Sequence, residues 1–203
     1  MVDKPRGYFD KVLAKDCETS GMNYNTVDPS IGFQSISWGL IVADAETFTP
    51  IEKLYVEIKW DGKSQWSDEA EKIHGLSRDH LEKNGLTKEE AAAEIGNLIY
   101  RHWNPKSDFS YQRNVRCLGH NVATFDIWFM RNLLEPFGIM FPTGNRFIDT
   151  SSIAFATFGC FNSDDAFDLI GIKRNKHNAL ADAQASLDFV KTVRKLCNSF
   201  LGE

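Results

Sequence analysis

The chain has 203 residues, of which 42% are hydrophobic and 12% aromatic, and its formal net charge at pH 7 is −5. This length and composition suit one well-filled globular domain over residues 1–203 and exclude an intrinsically disordered chain. The negative charge excludes a protein that binds nucleic acid through its overall charge, so a nucleic-acid ligand has to be met locally or through metal ions.

The first third of the chain predicts β-strands. Alternating and β-branched residues mark strands over 8–18, 33–44 and 53–60. Their links are of hairpin length, so we expect antiparallel neighbours. The Asp28-Pro29 pair predicts that the first link, 19–32, is a loop.

After residue 66 the pattern becomes helical. Two short helices, broken at His74-Gly75, are predicted over 67–83, with Ser67 and Ser77 as N-caps. Thr87 and Glu90 have the spacing of a capping box, which predicts the start of a stronger helix over 87–103.

The remaining chain alternates between short strands and helices. Strands are predicted at 115–121 and 146–149, a loop at 104–114, and helices at 124–138, 150–159, 163–171 and 178–200. Pro136-Phe137-Gly138 is predicted to stop the first of these helices. Three consecutive strands followed by this alternation predict an α/β fold, in which helices flank a mixed sheet.

Asp16 and Glu18 end the first predicted strand. Side chains two residues apart on a strand face the same side of the sheet. Two carboxylates at such a short distance raise each other's pKa. The pair therefore lies in open water, or a cation holds it.

Three further polar residues have apolar neighbours: Asp126, His177 and Asp182. Each has two interpretations when taken alone. Asp126 either stabilises a helix N-terminus or is a metal ligand, and Asp182 is either a solvated residue or a metal ligand. His177 is either a surface residue or a catalyst. His177 and Asp182 are five residues apart and converge only if His177 precedes the last helix, with Asn178 as N-cap.

Carboxylates from these distant segments would repel strongly in one cleft without cations. Hard oxygen ligands suit Mg²⁺ or Mn²⁺ rather than zinc. Two such ions clamp an in-line phosphoryl displacement, and a nearby histidine takes the proton from the attacking water. The spacing of the acids is compatible with this convergence without proving it.

Five segments, in order, match motifs of a known family. They are DCETSG (16–21), EKIHGLSRDHL (71–81), GHNVATFDIWFMRNLL (119–134), FIDTSSIA (147–154) and HNALADAQAS (177–186). The chain resembles the DEDD exonucleases of the DnaQ-like superfamily, whose first, second and third motifs are similar to the segments 16–21, 119–134 and 177–186. It resembles the subgroup with a histidine in the third motif. The resemblance spans about residues 12–193.

The resemblance implies an RNase H-like fold with a five-stranded mixed sheet. It also implies 3′→5′ hydrolysis of phosphodiester bonds at the 3′ ends of single-stranded DNA or RNA, releasing nucleoside 5′-monophosphates. The implied ligands of two Mg²⁺ or Mn²⁺ ions are Asp16, Glu18, Asp126 and Asp182.

The resemblance also implies roles around the ions. His177 is the implied general base. Thr19 and Ser20 are expected to offer N–H groups or hydroxyls to the terminal nucleotide, and Asn121 to support the second motif or touch substrate. His74 is a further candidate contact with substrate.

Basic and aromatic residues are candidates for the remaining substrate contacts. The run 173–176, KRNK, leads directly to His177 and is either a phosphate contact or a solvated face. Phe33, Trp66 and Phe125 are candidates for stacking on bases, which is worth about 1–3 kcal/mol each.

Two alternatives use the same fold. One is a non-catalytic nucleic-acid-binding module, which we expect to have lost an acid or the histidine. The other is a proofreading subunit of a polymerase. Separated cysteines, a polar amino-terminal segment and the absence of a long apolar run predict a cytoplasmic protein with no membrane partner. The sequence does not discriminate DNA from RNA or specify an oligomeric state.

Overall fold

The computed structural model describes residues 9–22 and 32–201, and within them a five-stranded sheet. The strands are β1 (Lys11–Thr19), β2 (Ser35–Asp44), β3 (Pro50–Glu57), β4 (Cys117–Gly119) and β5 (Ile148–Asp149). The helices are α1 (Asp68–His74), α2 (Arg78–Asn84), α3 (Lys88–His102), α4 (Ser110–Arg113), α5 (Asp126–Leu134), α6 (Thr150–Phe158), α7 (Ser163–Leu169) and α8 (Ala179–Leu201).

The sheet is mixed, in the order β3-β2-β1-β4-β5. The pairs β1–β2 and β2–β3 are antiparallel, whereas β1–β4 and β4–β5 are parallel. The predicted α/β, RNase H-like class is confirmed, including the three antiparallel strands at the start. The carboxyl ends of β1, β4 and β5 meet at one edge of the sheet, which is where ligands bind in folds of this kind.

Apolar side chains from both faces of the sheet form two cores. One face packs against α3 and α5 through residues such as Leu13, Ile95 and Phe129. The other face packs against α6, α7 and α8 through residues such as Ile41 and Phe189. Within the described residues, no helix has the length and apolar character needed to cross a membrane.

The helix starts predicted from N-caps at Ser67, Ser77 and Thr87 are confirmed. The Ser67 hydroxyl accepts the N–H of Ala70, and the Ser77 hydroxyl accepts that of His80. Thr87 forms the full capping box at the start of α3. These caps bond N–H groups that otherwise have no partner within the helix.

The structure corrects several predicted boundaries. The third strand runs from Pro50 to Glu57, and the predicted loop 104–114 contains α4. The helix predicted in the segment 124–138 begins at Asp126 and ends at Leu134. A 3₁₀ turn follows at Glu135–Phe137, because Pro136 has no N–H to continue the helix, so the stop predicted at Pro136-Phe137-Gly138 is confirmed. The predicted loop 19–32 lies mostly outside the described residues.

Candidate active site

Asp16 and Glu18 lie at the carboxyl end of β1, on the face of the sheet that α8 covers. Asp16 lies opposite Gly39 on β2, and Glu18 lies opposite Ser37. The register of this pair shifts directly after Glu18. Such an irregularity bends a strand and ends its pairing, so the chain turns away from the sheet just beyond the two carboxylates.

Helix α8 brings the third carboxylate over these two. The Asn178 side chain caps α8 by accepting the N–H of Ala181 at 3.0 Å, as predicted. Asp182 therefore lies in the first turn of α8. Ligand oxygens of Asp16, Glu18 and Asp182 all lie within 4.8 Å of one another.

Gly39 makes this approach possible. A Cβ at Gly39 would lie 2.2 Å from the carbonyl carbon of Ala179 and 2.2 Å from the backbone nitrogen of Leu180. The start of α8 thus rests on the backbone of β2, beside Asp16. A glycine within a strand pattern is a known signal of such an approach, but our sequence interpretation overlooked it.

Asp126 is the first residue of α5, and only 2% of its surface is exposed. It lies outside the 4.8 Å group, yet its charge raises the pKa of both Asp16 and Glu18. One of its oxygens, Oδ1, is buried without a hydrogen-bond partner among the described residues. A buried carboxylate oxygen without a partner is costly, which is the situation that a bound cation relieves.

The electrostatics of the cluster favour a cation. Burial, followed by the charges of Asp126, Asp182 and Glu18, raises the pKa of Asp16 well above its usual value. Burial and the charges of Asp182 and Asp126 raise the pKa of Glu18 to about 7. The oxygen-only donor set fits Mg²⁺ or Mn²⁺, since these ions prefer carboxylates.

Arg174 neutralises part of this charge. Its Nε forms an ion pair with Oδ1 of Asp182, and its Nη2 donates to Asp164 at 2.8 Å. Its guanidinium also lies 4.7 Å from the ring centre of Phe167. The pKa of Asp182 is raised by burial, and Arg174 opposes that rise.

These contacts bear on the predicted phosphate-binding role of the run 173–176. Two of its three cations, Arg174 and Lys176, already form ion pairs with Asp164. The ion pair between Arg174 and Asp182 was not predicted, because it depends on how α7 and α8 pack.

His177 lies directly before the cap of α8, as the convergence requires. Its backbone N–H donates to Oδ2 of Asp182 at 2.9 Å, and its side chain is exposed at the edge of the acidic cluster. Its φ is +61°, in the left-handed region that few residues other than glycine and asparagine adopt. The backbone therefore fixes His177 to a carboxylate while its imidazole remains open to solvent.

Thr19 and Ser20 are buried behind Glu18. The Thr19 hydroxyl donates to the carbonyl of Gly21 at 2.7 Å. The Ser20 hydroxyl donates to the carbonyl of Gln65 at 2.7 Å, and its N–H donates to the carbonyl of Gln34. Both hydroxyls therefore brace the chain beyond β1.

Asn121 occupies the turn before α5, with a φ of +55°. Its carbonyl accepts the N–H groups of Thr124 and Phe125, and its own N–H donates to Asp149 at 3.1 Å. Its backbone thereby holds the turn that leads into α5, and the predicted role of Asn121 towards the motif or the substrate stays a prediction. The Asn121 side chain is exposed.

His74 ends α1, where its Nδ1 accepts the N–H of Leu76 at 3.0 Å. Its Nε2 is buried without a hydrogen-bond partner among the described residues. Burial lowers the pKa of His74, and the charge of His177 lowers it further, whereas Glu71 opposes the shift.

The predicted stacking candidates differ in their surroundings. Phe125 packs 5.0 Å from the ring centre of Phe129, and Phe33 packs on the backbone of Gly21. Both are half-buried against the core formed with α3 and α5. The Trp66 ring meets His74 edge to face, with 6.4 Å between the ring centres.

Comparison with known protein families shows to which family the chain belongs. The family model for exonucleases of the RNase T type matches residues 13–190. The chain belongs to this exonuclease family. The match includes Asp16, Glu18, Asp126, His177 and Asp182. No curated protein matches this exonuclease-family chain in sequence.

Solved structures support the same fold. The chain is similar to Escherichia coli exonuclease I in a zinc-bound complex with single-stranded DNA, with a TM-score of 0.72, 21% identity, and coverage of 93% of this chain and 41% of that one. The complex of that enzyme with a dA16 oligonucleotide gives a TM-score of 0.72 and 21% identity, with coverage of 92% of this chain and 41% of that one. An apo structure of exonuclease I gives a TM-score of 0.64 and 20% identity, with coverage of 93% of this chain and 42% of that one. This chain therefore spans about two-fifths of exonuclease I.

Proposed function

We propose that this chain is a metal-dependent 3′→5′ exonuclease that removes nucleoside 5′-monophosphates from the 3′ ends of single-stranded DNA or RNA. One observation carries the proposal: Asp16, Glu18 and Asp182 bring ligand oxygens within 4.8 Å of one another. Membership of the exonuclease family supports it. So does the likeness to exonuclease I, whose structures include complexes with single-stranded oligonucleotides.

In this proposal, Asp16, Glu18, Asp126 and Asp182 hold two Mg²⁺ or Mn²⁺ ions. When bound, such ions supply a nucleophile at neutral pH and stabilise the charge on the leaving oxygen. Asp16 and Glu18 fix the cluster on the rigid sheet, and Asp182 reaches it from α8. Asp126 lies farther away and contributes through its charge or through water.

His177 is the proposed general base. Its backbone is fixed to Asp182, whereas its exposed imidazole is free to face a substrate. An imidazole held beside the reacting phosphate accepts the proton of the attacking water, which contributes about 10²–10⁴-fold to the rate of such reactions.

The residues around the acidic cluster orient the 3′ end of the nucleic acid. Thr19 and Ser20 contribute by bracing the chain beyond β1, since their hydroxyls are bonded within the protein. Asn121 shapes the turn that carries Asp126, and its exposed side chain is open to substrate. His74, whose ring meets Trp66 edge to face, is the remaining proposed contact with substrate.

A time course on 3′-labelled and 5′-labelled DNA and RNA oligomers tests the proposal. We expect the 3′ label to be released first as a mononucleotide, with activity lost in EDTA and restored by Mg²⁺ or Mn²⁺. Full activity in EDTA, or release from the 5′ end, would contradict it. Tight binding of oligomers without cleavage under all metal conditions would instead favour the non-catalytic module.

A further inference from the structure

Arg78, the first residue of α2, lies over two indole rings. Its Cζ is 5.4 Å from the ring centre of Trp60 and 5.5 Å from that of Trp66. The two indoles meet edge to face, with 6.1 Å between their centres. The Arg78 side chain is exposed, and no carboxylate in the described part of the chain lies within ion-pair distance of it.

The indoles are themselves held in place. The Trp60 Nε1–H donates to the carbonyl of Ser64 at 2.8 Å, and the Trp66 Nε1–H donates to the Glu71 carboxylate at 2.8 Å. Arg78 therefore lies on a fixed surface. A guanidinium held by its face keeps its N–H edge available, and that planar edge matches the oxygens of a phosphate.

This group adjoins the candidate active site. The Ser20 hydroxyl donates to the carbonyl of Gln65 at 2.7 Å, and the N–H of Ser67 donates to the carbonyl of Ser20 at 2.8 Å. Trp66 is the residue between these two anchors. Ser20 is two residues beyond Glu18, so the surface carrying Arg78 begins directly beside the acidic cluster.

We propose that Arg78 binds a backbone phosphate of single-stranded nucleic acid, upstream of the bond that is cleaved. This inference rests on the proposed exonuclease function. Trp60 and Trp66 position the guanidinium of Arg78. Because Arg78 covers the Trp66 ring, Trp66 holds the guanidinium and does not offer an open surface for a base to stack on. A cation is needed at this point because the acidic cluster repels the rest of the strand.

The test compares Arg78→Gln with Lys83→Gln, which removes the same charge from the exposed end of the same helix. For Arg78→Gln we expect the KM for an oligothymidylate to rise about tenfold, the loss of one charged hydrogen bond, with kcat unchanged. The slope of log KM against log salt should decrease by about 0.7, the value for one phosphate contact on a single strand. Lys83→Gln should change neither quantity.

A small substrate separates this inference from the proposed function. The p-nitrophenyl ester of thymidine 5′-monophosphate contains only the reacting phosphate, so Arg78→Gln should hydrolyse it as the unaltered protein does. Equal KM values and salt slopes on the oligomer would overturn the role of Arg78 while leaving the exonuclease intact. Absence of hydrolysis of both substrates by the unaltered protein would contradict the exonuclease itself.

A direct binding measurement tests the role of Arg78 whether or not the protein hydrolyses these substrates. Fluorescence anisotropy of a labelled oligothymidylate in EDTA should give a Kd about tenfold higher for Arg78→Gln than for Lys83→Gln, and equal values would overturn the proposal. Arg78→Lys keeps the charge and covers the indoles. It should restore the salt slope but only part of the affinity, because an ammonium lacks the planar pair of donors.

Discussion

The backbone of Ala179 rests directly on Gly39, which is the cross-strand partner of Asp16. A Cβ at Gly39 would lie 2.3 Å from the Ala179 carbonyl oxygen, closer than any real contact. Because Ala179 is the first residue of α8 and Asp182 follows within its first turn, this contact sets the distance between Asp182 and Asp16.

Gly39→Ala should therefore weaken metal binding. The obstructing atoms are backbone atoms, so no side-chain rotation relieves the clash and the start of α8 must move. We expect the affinity for Mn²⁺ to decrease about 10–100-fold, the usual effect of displacing a group that orients a ligand, and stability to decrease by about 1–3 kcal/mol. Electron paramagnetic resonance titration and thermal unfolding measure the two effects.

Gly96→Ala is the matched control for this variant. Gly96 lies on α3, across the sheet from the cluster, and its added Cβ would meet the side chain of Ile139 at 3.0 Å. This variant also crowds a packed position, but it should leave Mn²⁺ affinity unchanged. An unchanged Mn²⁺ affinity in Gly39→Ala would show that Asp182 does not depend on this contact.

Asp16→Asn should separate stability from activity. Asparagine has nearly the same shape as aspartate but removes one charge from a buried, mutually repelling group, so the metal-free protein should gain about 1 kcal/mol, or about 2–4 °C in Tm, at pH 8. Hydrolysis should decrease by at least about a thousandfold, since metal stabilisation of the transition state is worth several kcal/mol.

Thermal unfolding with EDTA and with Mg²⁺ measures the stability effect. The unaltered protein should gain stability from Mg²⁺, whereas Asp16→Asn should gain little. If Asp16→Asn lowered the Tm in EDTA, the carboxylates would not repel one another as their positions imply.

Local rules predicted much of this site. The period of two along β1 places Asp16 and Glu18 on one face, and the cap at Asn178 puts Asp182 in the first turn of α8. Serine and threonine caps likewise predicted the starts of α1, α2 and α3. Each of these inferences depends on residues within four positions of one another, where geometry follows from the sequence.

The remaining features depend on contacts between distant segments. The ion pair between Arg174 and Asp182 exists because α7 holds Arg174 through Asp164. The fully buried Lys15 lies 5.2 Å from the ring centre of Trp38, on the neighbouring strand. A run of basic residues in a sequence does not indicate which of its cations form ion pairs within the protein. The packing of α7 and α8 shows that Arg174 and Lys176 do, which leaves them less available to bind a phosphate than the sequence predicted.

Glu18 gives the metal-free protein a defined pH dependence. Its pKa is raised from the ordinary 4.5 to about 7 in the folded state. The folded protein thus holds this proton more tightly than the unfolded chain, so the stability that Glu18 contributes is full below pH 4.5 and is lost as the pH rises towards 7. Burial raises the pKa of Asp16 in the same sense.

The Tm in EDTA should therefore decrease between about pH 5 and pH 7, and Glu18→Gln should flatten that decrease. With Mg²⁺ present the dependence should reverse, because metal binding requires the ionised carboxylates and strengthens as the pH rises. A Tm in EDTA that rose over this range would contradict the raised pKa of Glu18.

His177→Asn should remove catalysis without removing the metal site. Asparagine tolerates the left-handed backbone at this position and retains the backbone N–H that donates to Asp182. We expect kcat to decrease about 10²–10⁴-fold, the usual contribution of a general base, while Mn²⁺ affinity stays close to that of the unaltered protein.

The comparison with His177→Ala separates the imidazole from the backbone. Alanine is strained at a φ of +61°, so this variant should lose both kcat and some Mn²⁺ affinity as the lead-in to α8 shifts. If His177→Asn kept a normal kcat, another group would take the proton. If instead both variants lost Mn²⁺ affinity equally, His177 would act by positioning Asp182.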